Sequence, residues 1–377
     1  MTALQPGASP ATAIAGPSGL LARLGRRSFR RTRPRSAKEL GRTFTVTFVA
    51  VVVLAAFLSP LVRSFTLSLK SPEQVAQVEG PLYPASPASF TYNGRAYDVY
   101  HVPLPDGSTK DLALVRKGRT SSQFVDPGNA GSGLLTWEGQ WRTLTPAWTF
   151  DPQWHNYSDV WDQINYPRLL FNTVAIALIG MVGTIISCTL VAYGFARFRF
   201  PGRDLLFLLV VATIFLPGAV TIIPTYAVFA KIGWVGTWLP LLVPTFFANA
   251  YDVFLLRQYF RTIPREMDEA AAIDGAGPMR TLLSVLIPQA WPVIIAVAIF
   301  HLVYSWNDFF APLIYLSTNP DLVTLPVGLA SFSGARIAEN PGLIQAGTLM
   351  TMIIPVALFL IFQRFFVRGV VITGVER

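Results

Sequence analysis

The apolar residues of this chain gather into runs too long for the helices of a water-soluble core. Six stand out: Thr43–Val62, Leu169–Phe195, Leu205–Phe229, Trp238–Leu256, Trp291–Leu316 and Ala346–Phe366. Each is near the ~20 residues that an α-helix needs to cross the hydrocarbon core of a bilayer. The pattern predicts an all-α polytopic membrane protein with six transmembrane helices. Residues 63–167 break the pattern. There, short alternating or aromatic runs are separated by turn pairs: Asn93–Gly94, Asp106–Gly107 and Glu138–Gly139. Asn-Gly and Asp-Gly between such runs signal hairpins. A small β-rich unit is therefore expected over about 80–150, as an insertion between the first and second spans. The aromatics Trp148, Phe150, Trp154, Tyr157 and Trp161 that follow suit a membrane–water interface.

Composition supports the membrane reading. The chain is 52% hydrophobic and only 14% charged, against ~25% charged for soluble domains. Its net charge of +9 comes mostly from the start, where Arg23, Arg26, Arg27, Arg30, Arg31, Arg33, Arg35, Lys38 and Arg42 face only Glu39. Beside a membrane span, such a segment implies cytoplasmic retention and contact with anionic lipid rather than nucleic acid. The expected organisation is a disordered basic tail (1–42), a first span (43–62), an extracytoplasmic loop (63–167), a core of five spans (168–367) and a short tail (368–377).

Charges in the short loops orient this arrangement. Arg197, Arg199 and Arg203 lie between the second and third spans, and Arg257, Arg261, Arg265 and Arg280 between the fourth and fifth. The opposite loops carry only Lys231 and Arg336. By the positive-inside rule, the Arg-rich loops and both termini are cytoplasmic.

The cytoplasmic stretch 262–288 is polar, acidic and rich in small residues. Pro264 is suited to open a helix, with Glu266, Asp268 and Glu269 in its first turns, where the dipole favours negative charge. Gly275 is suited to cap it in the left-handed conformation. Pro278 can open a second helix and Pro288 can stop it. The expectation is a helix–turn–helix whose Ala270, Ala271 and Ala272 let another protein approach closely.

Polar groups inside spans are costly and are candidates for function. Asp252 lies in the fourth span. His301, Ser305, Trp306, Asn307 and Asp308 lie in the fifth, and Asn172 and Thr173 open the second. They either bond one helix to another or line a hydrated route for a polar solute; Asp252, Ser305, Asn307 and Asp308 are the candidates for the route. Pro217–Gly218 and Pro224 can break the third span. The single cysteine, Cys188, allows neither an internal disulfide nor a cysteine metal site and reads as a small apolar filler. His101 and His155 stand alone. The glycine-rich run 126–133 lacks the Gly-Lys-Ser/Thr ending of a phosphate loop and reads as a connection. No nucleotide-binding or catalytic motif stands out elsewhere, so no enzyme activity is expected of this chain.

The spacing within 262–288 resembles the EAA loop of ATP-binding-cassette importer permeases: Glu269, Ala270, Ala271, Gly275 four residues later, then Val285, Ile287 and Pro288, with Asp274 and Ala276 around the glycine. Val285 and Ile287 stand where Ile and Leu are commoner. Ala192–Phe198, Phe200–Arg203, Phe254–Gln258, Ser305–Asp308, Leu325–Leu329 and Phe366–Gly369 resemble the carbohydrate-importer branch, the maltose-type or glycerol-phosphate-type subunit. The resemblance covers about 155–377 and implies the type I importer permease fold. It implies a second permease subunit, giving a heterodimer, two ATP-binding-cassette ATPase subunits that hold ATP and Mg, and an extracytoplasmic sugar-binding protein. No cofactor or metal is implied on this chain. Glu269 would be the polar anchor to the ATPase, 317–345 would face the binding protein, and the tail from Arg368 would lie near the ATPases. The long 63–167 loop departs from the family, whose first loop is usually shorter. Two other classes remain open: a membrane-anchored sensor served by its β-rich unit, and a transporter driven by an ion gradient.

Overall fold

The computed structural model describes residues 37–77, 80–336 and 340–371. The disordered tail expected up to residue 42 lies outside them as far as residue 36, and the end of the 368–377 tail lies outside them from residue 372.

The chain divides at Pro60 into two units. The described part of the first is the beginning of α1 (Ala37–Ser68). Over its most apolar part, no residue of this helix is buried by the rest of the chain.

The second unit opens with the end of α1 and the short α2 (Pro72–Val75). A β-rich insertion follows: β1 (Ala85–Pro87), β2 (Ser89–Tyr92), β3 (Arg95–Pro103), β4 (Thr109–Arg116), β5 (Ser121–Val125), β6 (Leu135–Glu138), β7 (Thr145–Pro146) and β8 (Trp148–Phe150). Strands β2 to β6 form an antiparallel meander, β7 pairs with β3, and β1 pairs with β8. The Asn93–Gly94 turn is a two-residue hairpin, with both φ angles positive (49° and 77°), which relieves the strain of reversing a twisted strand so tightly. Both faces of the sheet are covered. Val99, Ala113 and Val125 pack on one side, and Val102, Leu112, Leu114 and Phe124 on the other, edged by Trp137 and Trp141. Glu138–Gly139 is not a hairpin turn as expected. The β6 strand ends there, Gly139 donates to the Thr120 carbonyl, and its Cβ position is filled by the Trp137 ring. The glycine-rich run 126–133 is the connection from β5 to β6.

After α3 (His155–Gln163) come the helices of the core: α4 (Tyr166–Arg197), α5 (Arg203–Ala212), α6 (Gly218–Lys231), α7 (Leu239–Leu242), α8 (Ala250–Thr262), α9 (Glu266–Ile273), α10 (Pro278–Thr281), α11 (Ile287–Asn307), α12 (Phe310–Leu316), α13 (Leu325–Arg336) and α14 (Pro341–Val371). The centre is α4, packed on α8 and α11 through Cys188, Ala192, Val253, Leu256, Phe260, Ala290 and Val297, with Leu286 just before α11 in the same cluster. Small residues bring the helices close: a Cβ on Gly180 would stand 2.7 Å from His301, and one on Gly183 2.7 Å from Thr245.

Among the described residues, five helices or helical stretches are long and apolar enough to cross a membrane: Gly41–Ser68, Tyr166–Arg197, Leu239–Thr262, Pro278–Asn307 and Pro341–Gln363. The expected third span is instead a bent pair, Arg203–Phe215 and Val220–Lys231, turned by 100° at Pro217. Proline there has no N–H to carry the ladder across the break. The fifth span also differs. It runs from Pro278 to Asn307, stops at Asp308 and resumes as the short α12, rather than ending at Leu316. Much of the region 317–345 is helical, because α13 begins at Leu325 and packs on α4 and α14.

Candidate functional site

The stretch 262–288 forms a helix–turn–helix with two departures from expectation. Pro264 precedes the helix instead of opening it; α9 starts at Glu266 after Arg265. Glu266, Asp268 and Glu269 occupy the first turn, as the helix dipole favours. The helix ends as the sequence suggests. Gly275 has φ +77°, its N–H donates to Ala272 O at 3.0 Å, and the Ala276 N–H donates to Ala271 O at 2.8 Å. This double bond around a left-handed glycine is the Schellman motif, which satisfies carbonyls that the helix end leaves free.

Pro278 is the first residue of α10, but Pro288 does not stop the second helix. Residues Leu282–Leu286 wind as a π-turn and lead directly into α11. Winding wider than an α-helix moves the carbonyl that the proline ring would meet, so the helix passes Pro288 unbroken. Pro278 to Asn307 is therefore one helical rod from the turn into the membrane.

Asp268 carries the main electrostatic contact of this stretch. Its carboxylate meets the buried Arg197 guanidinium at 2.9 Å, and Arg197 also donates to the Ile263 carbonyl at 3.0 Å. Tyr193 donates to the Pro278 carbonyl at 3.0 Å. Thus α4 holds both arms of the motif. Glu269 points outward and is exposed. So is Ile273, at 88%, together with Met279 and Leu283. Tyr193, Arg197, Phe198, Asp268, Glu269 and Ala272 line a groove of about 360 Å³ beside them. An exposed isoleucine on a capped turn, with alanines on the same helix, is a surface that a second protein can cover closely.

The intramembrane polar residues separate into groups. Ser305 and Asp308 share a small cavity of about 60 Å³ with Thr173, Thr245, His301 and Tyr304. Asn307 faces another way, onto a groove with Ser333, Thr348 and Thr351. Asp252 belongs to neither. It is buried at the start of α8, where it accepts from the Asn249 amide at 2.7 Å. Asn172 and Thr173 are structural ties: Asn172 donates to the Asp321 and Val323 carbonyls, and Thr173 accepts from the Leu325 N–H. His301 bonds Thr184 at 3.0 Å. Thr184 and Thr245 were not singled out from the sequence, because a lone threonine in an apolar helix carries no pattern.

The spans, the capped helix–turn–helix and its continuity with α11 define an inner-membrane permease with the type I fold of ATP-binding-cassette importers. Residues 188–372 match the family described as binding-protein-dependent transport system inner membrane component. The chain is 35% identical over 222 residues to the osmoprotective compounds uptake permease protein GgtD of Synechocystis sp., a match covering 59% of this chain and 74% of the relative. It is 35% identical over 227 residues to the sn-glycerol-3-phosphate transport system permease protein UgpE of Yersinia enterocolitica, covering 58% and 79%. To the UgpE of Rhizobium meliloti it is 36% identical over 211 residues, covering 56% and 74%. Among solved structures, its fold matches a chain of a bacterial ABC transporter involved in the import of the acidic polysaccharide alginate, with a TM-score of 0.61 at 19% identity, over 89% of this chain and 100% of that one. The chain belongs to the family of inner-membrane components of binding-protein-dependent transport systems.

Proposed function

We propose that this chain is one of two permease subunits of an ATP-driven importer for a sugar or a similar polyhydroxylated solute, and that α9, its turn and α10 couple it to an ATPase. The observation that carries this reading is the turn itself: a rigid, capped, outward-facing element braced on α4 by Arg197 and continuous with α11. A push on Ile273 or Glu269 is delivered to the membrane helix without passing through a loop. Ala270 and Ala271 allow close approach, Asp274 and Gly275 form the turn, and Pro288 sits where the rod enters the span. Two ATPase subunits would hold ATP and Mg and do the hydrolysis. An extracytoplasmic binding protein would deliver the solute, and a second, non-identical permease would complete the route. Both termini lie in the cytoplasm in this arrangement, with the β-rich insertion outside. Ser305 and Asp308, and across the helix Asn307, are this chain's contribution to the route; Asp252, which lines neither opening, would take part only from a separate position on α8.

The names of the relatives, permeases for osmoprotective compounds and for glycerol phosphate, support a small polar solute without fixing its charge. The test is uptake and ATPase activity of the complete importer carrying Glu269→Lys or Gly275→Pro. Each variant is expected to insert in the membrane while ATP hydrolysis no longer drives uptake. Normal uptake by both would sink the coupling role, and absence of any co-purifying ATPase would sink the importer reading in favour of an anchored sensor or an ion-driven carrier.

A further inference from the structure

The charge of the solute follows from the polar groups at the two intramembrane openings, given the reading of the chain as a permease. The cavity at the end of α11 is lined by Thr173, Thr245, Tyr304 and Ser305, by His301 and by Asp308. The adjoining groove presents Asn307, Ser333, Thr348 and Thr351. Neither lining contains a lysine or an arginine.

The carboxylate of Asp308 has little to neutralise it. One oxygen accepts from the Ala311 N–H at 3.3 Å. Among the described residues, no cation lies within ion-pair distance of Asp308 or of Asp252. The core arginines that might have served are engaged elsewhere. Arg168 pairs with Asp321, Arg197 with Asp268, and Arg257 lies 3.8 Å over the Phe207 ring. His301 is the one basic group beside Asp308, and its Nδ1 is bonded to Thr184.

A single carboxylate in a narrow cavity sets the sign of the local potential, because low-dielectric walls focus its field. We infer that Asp308 makes this chain's side of the route selective by charge: it admits neutral polyhydroxylated solutes, and cationic ones, and rejects anions such as phosphate monoesters and uronates. Hydroxyls and the Asn307 amide exchange hydrogen bonds with a neutral polyol on both donor and acceptor sides. A phosphate monoester or a uronate would meet a like charge and no guanidinium. The inference separates this chain from the glycerol-phosphate permeases that it resembles in sequence.

The test reads the potential directly and does not require the solute. In the complete importer in proteoliposomes, with Cys188→Ser as background, Ser305→Cys places a thiol beside Asp308, and Tyr304→Cys provides a second reporter. Each is reacted with a cationic trimethylammonium-ethyl and an anionic sulfonatoethyl methanethiosulfonate. Relative to free cysteine, the cationic reagent is expected to gain about tenfold or more over the anionic one, and Asp308→Asn is expected to abolish most of that gain. A ratio equal to that of free cysteine, a ratio unmoved by Asp308→Asn, or no reaction of either reporter with either reagent would overturn the inference. So would ATP-dependent uptake of glycerol 3-phosphate by the unmodified importer. Failure of the importer reading shows itself separately, as a purified complex without ATPase subunits.

Discussion

Arg197, the last residue of α4, and Asp268, one residue before Glu269, meet at 2.9 Å, with their side chains 8% and 24% exposed. The pair turns one carboxylate of the acidic helix inward and leaves its neighbour outward. Since Arg197 also bonds the Ile263 carbonyl, one guanidinium holds both the helix and the link that leads to it.

Replacing Arg197 with Met should therefore loosen α9 rather than unfold the core. Removing one partner of an ion pair costs about 1–3 kcal/mol where the other remains desolvated, and partial exposure of Asp268 keeps this near the lower end. The expected outcome is retained membrane insertion with a lower ratio of solute imported to ATP hydrolysed. A double-mutant cycle with Asp268→Asn checks it: effects that simply add would show that the two residues do not act together.

Gly275 offers a cleaner perturbation. Nothing lies within 4 Å of its missing Cβ, so substitution strains only the backbone. At φ +77°, Ala should cost about 1–2 kcal/mol, and Asn less, since Asn tolerates this conformation. Coupling of ATPase to uptake should fall in the order Gly, Asn, Ala. Equal activities for all three variants would show that the turn geometry is not what transmits motion.

In the β-rich insertion, Lys110 ion-pairs with the buried Asp126, which also accepts from the Gly128 N–H at 2.9 Å. The Lys110 bond, followed by the Gly128 N–H, holds the Asp126 carboxyl below its ordinary value of 3.8. A depressed folded-state pKa means that the stabilisation is fully present above that ordinary value and is lost as pH falls through the folded-state value. Lys110→Met removes the largest cause, so acid opening of this unit should begin at a higher pH. Hydrogen exchange of the β3–β5 amides, followed against pH in the full chain in nanodiscs, measures the shift. An unchanged midpoint would show that the pair contributes nothing.

The features readable from sequence were those with local causes. Asn93–Gly94 made its hairpin because both residues tolerate positive φ, and Gly275 capped α9 for the same reason. Long apolar runs marked the membrane helices, since a bilayer demands length and hydrophobicity of the segment itself. Pro288 misled because the relief of its ring clash lies in the preceding π-turn, and no residue of Leu282–Leu286 announces that winding. The polar residues Ser305, Asn307 and Asp308 were visible inside the fifth apolar run, but their types do not say that the helix breaks there. The Arg197–Asp268 pair depends on how α4 packs against α9, which no local spacing encodes. The site candidates divided in the same way: the helix–turn–helix around Glu269 was legible from spacing, but the separation of Asn307 from Ser305 and Asp308 required three dimensions.

Two glycines of α4 test how tightly the membrane core is built. A methyl group on Gly180 would come 2.7 Å from His301 Nε2, whereas Gly194, on the same helix, has nothing within 4 Å. The His301 ring cannot simply swing away, because Nδ1 is bonded to Thr184 at 3.0 Å and the ring lies on the cavity wall. Gly180→Ala should therefore cost about 1–3 kcal/mol, the usual range for overpacking a filled site. Gly194→Ala should be neutral or stabilise by up to about 1 kcal/mol through helix propensity. Thermal unfolding of the purified chain in one detergent compares them under equal conditions. If Gly180→Ala melts with Gly194→Ala, then α4 and α11 are not in the close contact that brings His301, Ser305 and Asp308 to one wall.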